Sequence, residues 1–224
     1  MEWMARLAEK KRIIITGHYG SGKTEFAVNL ALALAAEGKR MALADLDIVN
    51  PYFRSRERKA LLAEKGIRLI ATSQACTDAD VPSLPADIFT TFADTELVTV
   101  YDVGGDPAGA RVLARFAPQF GALGYEMLFV LNANRPQTAT AKAAEGYLRQ
   151  IESVSGLSVT GIVDNTHLCR ETTEHDLAKG RALADETSSL TGLPVICHAV
   201  ERRLTTGEAD VFPLEIYMKK TWEL

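Results

Sequence analysis

Short apolar runs of strand length recur along the chain, separated by stretches in which apolar positions return at helical spacing. The runs are Arg12–Thr16, Arg40–Ala44, Ile67–Ala71, Leu97–Tyr101, Glu126–Leu131, Val159–Val163 and Val195–Val200. Between them, Thr24–Glu37 carries Phe26, Leu30 and Leu34 on one face and stops at Gly38, a helix with a glycine terminator. Further helices are predicted over Ser55–Lys65, from about Ala108 to Phe120, over Thr138–Ser153 and over Glu174–Leu190. Residues 73–95, with Pro82, Pro85 and several Asp and Thr, predict a loop carrying one short helix near its end. Regular alternation of strand and helix predicts an α/β fold of three layers: a mostly parallel central sheet with helices on both faces. There is no repeat, low-complexity tract or linker, so residues 1–224 are expected to form one domain.

Composition changes this picture little. Hydrophobic residues make up 47% and charged residues 24% of the 224 positions, ordinary for a globular chain able to bury a sizeable core. A net charge of −4 argues against nucleic acid as a generic partner, which calls for a basic face. The dense positive run Arg54, Arg56, Arg58 and Lys59 is interrupted by Glu57. Residues 1–12 mix Glu2, Arg6, Glu9, Lys10, Lys11 and Arg12 without an apolar stretch, which excludes a signal peptide or membrane span there. Cys76, Cys169 and Cys197 form no Cys-x-x-Cys pair and no disulfide framework, and neither they nor His167 are assigned a metal role. The expected compartment is the cytoplasm.

The chemistry begins where the first strand ends. Gly17-His18-Tyr19-Gly20-Ser21-Gly22-Lys23-Thr24 joins that strand to the first long helix and has the spacing of a phosphate-binding loop. Its glycines let successive backbone N–H groups face the phosphates, and the helix that follows adds its positive end. Lys23 is expected to reach the outer phosphates, and the Thr24 hydroxyl to ligate magnesium. Two acidic clusters end neighbouring apolar strands on the same rim. Asp102, in Tyr101-Asp102-Val103-Gly104-Gly105-Asp106, fits the Walker B aspartate of the magnesium shell. Asp47, in Asp45-Leu46-Asp47, fits the residue that orients or deprotonates the attacking water and shares in the metal shell, in part through water. Asp45 reads equally as a turn cap. The Gly104-Gly105 pair gives Asp106 and its neighbours freedom to move with the γ-phosphate.

Taken with Ala27, Asn29-Leu30-Ala31 and Leu34-Ala35 after the loop, these motifs resemble the ParA/MinD and nitrogenase iron-protein class of P-loop ATPases. The likeness runs from Ile13 to about Val200. In that class Ala44-Asp45-Leu46-Asp47 corresponds to the first switch, where the last aspartate serves hydrolysis. Residues 101–106 correspond to the second switch, with Gly105 among the nucleotide-binding residues. Gly161-Ile162-Val163-Asp164-Asn165 corresponds to the segment whose asparagine contacts adenine. The resemblance implies a P-loop NTPase fold, ATP and Mg²⁺, slow hydrolysis, a nucleotide-dependent homodimer and an unidentified protein partner.

Asn165 has its own rationale, since an amide offers both a donor and an acceptor to the adenine edge; a structural turn is its other reading. The GTPase signature Asn-Lys-x-Asp is absent, Asn165-Thr166-His167-Leu168 standing in its place, so ATP is expected over GTP. Asn132 and Asn134 are weaker base-side candidates. Three features depart from the family pattern. His18 stands where many members carry a second lysine that reaches across the dimer; His18, Arg54 and Arg56 are the candidates to replace it, and His18 also reads as a plain loop side chain. Gly109 occupies the iron protein's cluster-cysteine position, so no iron–sulfur cluster is expected. The tail Phe212–Trp222 resembles a membrane-targeting segment, but Pro213, Glu215 and only two lysines favour packing on the domain. A rival reading uses the same core in a small-molecule kinase or a ligase of the dethiobiotin-synthetase type, with Asp45, Asp47 and Arg54 lining a substrate pocket and residues 73–95 as a lid.

Overall fold

The computed structural model describes residues 2–47, 58–71, 86–205 and 207–218. A single eight-stranded sheet runs through them, all parallel, in the order β3-β2-β4-β1-β5-β6-β7-β8. The strands are β1 (Arg12–Gly17), β2 (Met41–Asp45), β3 (Arg68–Ile70), β4 (Val98–Asp102), β5 (Glu126–Leu131), β6 (Gly161–Asp164), β7 (Val195–Glu201) and β8 (Val211–Leu214). The helices are α1 (Glu2–Lys10), α2 (Lys23–Ala36), α3 (Lys59–Glu64), α4 (Thr90–Ala93), α5 (Pro107–Ala110), α6 (Ala117–Leu123), α7 (Ala141–Ser155) and α8 (Glu174–Thr191).

The central strands are buried on both faces, as a parallel sheet between helical layers requires. Alternation sorts their side chains into two cores. Ile13 and Ile15 of β1 join Phe26, Leu30 and Leu34 of α2, whereas Ile14 joins Tyr101, Phe116, Phe129 and Leu148 on the other face. β1 sits at the middle, so the loop leaving its carboxyl end lies between the carboxyl ends of β4 and β5. In open parallel sheets that rim is where ligands bind.

The seven predicted strands are present, and the structure adds elements that the pattern did not predict. α1 is amphipathic over only nine residues; Trp3, Met4, Leu7 and Ala8 are its buried side. β8 extends the sheet beside β7, and its Phe212 meets Trp3 and Phe26 edge-on at 5.5 and 5.6 Å. The tail therefore packs on the sheet through residue 214, and its end beyond 218 lies outside the described residues. The helix expected from Ala108 to Phe120 is broken into α5, a 3₁₀ stretch Arg111–Phe116 and α6. Pro118, in the first turn of α6, has no N–H for the carbonyl four residues back, so the helix has to restart there. Residues 86–93 supply the short helix expected near the end of 73–95. Arg54, Arg56 and Cys76, and the proposed lid before residue 86, lie outside the described residues.

Candidate nucleotide-binding site

The loop from Gly17 to Thr24 is shaped by three glycines with positive φ: Gly17 (141°), Gly20 (73°) and Gly22 (84°). No β-carbon fits at two of them. One at Gly17 would lie 2.3 Å from the Val130 carbonyl oxygen, and one at Gly22 would lie 2.2 Å from the Asn165 amide nitrogen. Gly22 is also the N-cap of α2 and carries no capping side chain, which suits a helix start that is to face an anion.

Lys23 is buried, and its Nζ donates to the His18 carbonyl at 3.2 Å. Burial pushes its ammonium below the ordinary lysine range, and Asp102, Asp47 and Asp106 pull it back up. Residues that are far apart in sequence thus converge on one ammonium. Asp102, at the end of β4, accepts a hydrogen bond from the Thr24 hydroxyl. Its carboxyl is pushed up to about 7 by burial and by Asp45 beside it. Asp45 in turn accepts the Asp47 backbone N–H at 3.2 Å, the turn-capping role that was its alternative reading. The Asp47 carboxylate lies against Gly104, where a β-carbon would be 3.2 Å from Oδ1.

Gly105 is pressed hard onto the loop. A β-carbon there would fall 2.6 Å from Lys23 Nζ and 2.7 Å from Tyr19 Cα. Asp106 caps α5 by accepting the Gly109 N–H at 2.5 Å. Gly104 and Gly109 touch through their α-carbons, so a side chain at Gly109 would collide with Gly104. His18 packs its ring edge-on against Tyr147 of α7, 5.0 Å between centroids. Burial, and after it the charges of Lys23 and Arg135, lower its imidazole pKa. Ser21 is buried beneath the loop.

From this cradle a cavity of about 620 Å³ extends away from β4. Its phosphate end is lined by Tyr19, Gly20, Gly22, Lys23, Thr24 and Asp47. One wall is Asn165, Thr166, His167, Cys169 and Arg170, after β6; another is Ala199 to Glu201 with Leu214 and Ile216 to Met218. Asn165 donates its amide to the Ser21 carbonyl at 2.8 Å, tying the base-side loop to the phosphate loop. Asn132 and Asn134 do not line the cavity. They hold the loop after β5: Asn132 bonds the Asn134 N–H (2.9 Å) and the His167 carbonyl (3.3 Å), and Asn134 bonds Asp176 and Lys179.

The structure brings in residues that the motifs did not single out. Arg135 donates Nε to the Gly20 carbonyl at 2.7 Å and faces the cavity, a cation beside the apex of the loop. Its position one residue past Asn134 on the strand-end rim was the available signal. His167 Nδ1 accepts the Cys169 N–H at 3.2 Å, which leaves the proton on Nε2. That donor is shielded from solvent and has no hydrogen-bond partner among the described residues, and it sits where a Gly22 β-carbon would be 2.8 Å away. Burial, and then Arg135, push His167 down to about 4, so the ring is neutral. Glu25 and Asn29, on the first turns of α2, hold the segment after β8. Asn29 exchanges two bonds with the Glu215 backbone (2.8 and 2.9 Å), and the Glu25 carboxylate accepts the N–H groups of Tyr217 and Met218. On the switch side, the Tyr147 hydroxyl donates to the Gly105 carbonyl at 2.6 Å. Burial and Asp106 push its phenol up to about 12, so it remains a neutral donor.

A strand–loop–helix of this geometry in a parallel three-layer sheet defines a P-loop NTPase fold. The family model described as the CobQ/CobB/MinD/ParA nucleotide binding domain matches residues 13–196, and the chain belongs to that family. No curated protein matches the sequence. Among solved structures, FtsY from Mycoplasma mycoides is similar at a TM-score of 0.54 and 16% identity, over 85% of this chain and 60% of that one. Chloroplast FtsY from Physcomitrella patens matches at 0.54 and 18%, over 85% and 58%. The 54 kDa signal recognition particle protein of Aeropyrum pernix, solved in complex with GDP, matches at 0.52 and 20%, over 84% and 41%. This chain spans no more than about three fifths of those proteins, and the likeness is one of fold. Among the described residues no helix is long and apolar enough to cross a membrane.

Proposed function

We propose that the protein is a nucleotide switch that binds ATP with magnesium and hydrolyses it slowly, acting on a protein partner. The observation that carries this reading is the convergence of Asp47, Asp102 and Asp106 on the buried Lys23 ammonium. In this reading Lys23 neutralises the β- and γ-phosphates, and the backbone of Gly17–Thr24 cradles them. Arg135 adds a second positive charge at the loop apex, a role the sequence left to His18, Arg54 or Arg56.

The Thr24 hydroxyl with the Asp102 and Asp47 carboxylates is a hard-oxygen donor set of the kind magnesium takes when a substrate phosphate completes its shell. When bound there, a divalent cation would neutralise charge on the phosphates, and Asp102 would hold it as a carboxylate. Asp47, at the edge of this cluster and on the cavity wall, orients the attacking water and accepts its proton.

ATP is favoured over GTP by the base-side wall. Leu168 stands where the GTPase signature has the carboxylate that pairs with guanine's N1–H and 2-amino group, and adenine needs neither contact. Asn165 presents its amide on the same wall. Tyr19 and Ile216, both lining the cavity, are 52% and 40% exposed, apolar surface that suits a second copy of the chain closing over the nucleotide.

The test is the solution mass of Asp47→Ala by light scattering, with magnesium–ATP and with magnesium–ADP. The expected result is a dimer with ATP only, together with ATP binding retained and hydrolysis lost. A monomer in both states, with ATP bound, overturns the switch and favours phosphoryl transfer to a small acceptor.

A further inference from the structure

We propose that Tyr147 is a γ-phosphate latch: its hydroxyl holds Gly105 against Lys23 until an arriving triphosphate displaces it. This rests on the nucleotide-switch reading above, and it concerns the γ-phosphate rather than the base.

The argument starts from the space around Lys23 Nζ. The ammonium donates to the His18 carbonyl at 3.2 Å, and Gly105 lies so near that a β-carbon on it would fall 2.6 Å from Nζ and 2.7 Å from Tyr19 Cα. A γ-phosphate oxygen that reaches Nζ over the loop from that side meets the 104–106 segment. The 104–106 segment therefore has to shift when a triphosphate enters, whereas a diphosphate, one phosphate shorter, makes no such demand.

Hydrogen bonds hold the segment in place. Asp106 is fixed to the start of α5, its side chain accepting the Gly109 N–H and its carbonyl the Ala110 N–H at 2.9 Å. The long-range contact is Tyr147: its hydroxyl donates to the Gly105 carbonyl at 2.6 Å across 42 residues of sequence. The same ring packs edge-on on His18 of the phosphate loop, at 5.0 Å and 70°. Tyr147 thus touches both jaws of the phosphate site from α7, an element that carries none of the nucleotide motifs. Opening the segment costs the Tyr147–Gly105 bond, and the ring contact with His18 keeps the hydroxyl in register for recapture when the γ-phosphate leaves. Tyr147 is a positioning residue: it acts through Gly105 and does not touch the substrate.

The test is Tyr147→Phe, which removes one oxygen and keeps the ring against His18. Affinities for magnesium–ATP and magnesium–ADP are measured by equilibrium titration on the full chain, with GTP and GDP alongside. A net hydrogen bond of this kind corresponds to a roughly fivefold change in affinity. The expected result is triphosphate binding about fivefold tighter with diphosphate binding unchanged, so that the tri-to-diphosphate ratio rises. An unchanged or lowered ratio overturns the latch, as does an equal gain for both nucleotides, which would mark a merely structural effect. The two readings fail separately. A wild-type protein that prefers GTP sinks the ATP assignment, while the GTP-to-GDP ratio of the variant still decides the latch. As a second readout, hydrogen exchange at residues 103–106 without nucleotide is expected to quicken in Tyr147→Phe; equal protection in both proteins overturns the proposal.

Discussion

The two ends of the cavity are built on different principles. The phosphate end is made by short contiguous motifs, Gly17–Thr24, Asp45–Asp47 and Asp102–Asp106, and is closed and charged. Lys23 is surrounded there by carboxylates and backbone. The base end is assembled from three separated segments, with Asn165, Thr166, His167, Cys169 and Arg170 after β6, Ala199–Glu201 at the end of β7, and Leu214 with Ile216–Met218 at and after β8. It is held to the phosphate end by side chains on α2 and by the Asn165–Ser21 bond. Placing charge at a fixed point demands particular residue types at fixed spacing. Making a wall demands only surface, and many residue types supply it.

If the phosphate end works as a charge cluster, Lys23→Ala is the largest lesion. It removes the ammonium and leaves Asp47, Asp102 and Asp106 facing one another without it. Nucleotide affinity is expected to fall at least about 100-fold, near 3 kcal/mol, in an equilibrium titration. A loss below about tenfold would show that backbone N–H groups and Arg135 suffice, and that the charge cluster is not what defines this end.

The base end is broken separately by Asn29→Ala. This deletes both bonds to Glu215 and leaves a backbone donor and acceptor without them, at an expected cost of about 1–2 kcal/mol in thermal or denaturant unfolding. The segment 215–218 then loosens from α2, and ATP affinity is expected to drop about tenfold. Inorganic triphosphate, which uses only the phosphate end, is expected to bind unchanged. Equal losses for both ligands would mean that the two ends are one mechanical unit.

The same contrast explains what was legible in the sequence. The seven core strands and the rim that gathers Lys23, Asp47 and Asp102 followed from strand-length apolar runs and a loop whose spacing has a physical cause. β8 escaped because Val211-Phe212-Pro213-Leu214 carries a proline and lacks alternation, and its burial is decided by Trp3 and Phe26, far away in the chain. α1 escaped because nine residues are marginal as a helix without the sheet to pack on. The break at Pro118 was visible as a proline but was outweighed by the apolar spacing around it. The loop position of His18 says nothing of its ring's neighbour, because Tyr147, 129 positions on, is brought to it by the fold. Arg135, Glu25 and Asn29 gave no signal as a group, since what unites them is proximity to Gly20 and to residues 215–218.

The smallest expected effect concerns His167, at the seam between the two ends. Its Nδ1 faces Cys169 on the base-side loop, and its shielded Nε2–H faces Gly22 of the phosphate loop. Protonating the ring would place a buried positive charge beside Arg135, so its pKa falls from the ordinary 6.5 to about 4. A folded-state pKa below the unfolded value means stability that is present above pH 6.5 and is lost as the pH falls toward 4. Between pH 7.5 and 5.5 the unfolded chain takes up the proton and the folded protein does not, which costs the wild type about 1 kcal/mol relative to a variant without the titrating ring. His167→Gln keeps an amide donor at the seam and cannot titrate. The stability gap between wild type and His167→Gln is therefore expected to narrow by about 1 kcal/mol over that interval, in denaturant unfolding without nucleotide. A gap that stays constant would mean that the imidazole titrates alike in the folded and unfolded chains. The seam would then be open to water, and the wall and the cradle would be joined through Asn165 and the α2 side chains Glu25 and Asn29.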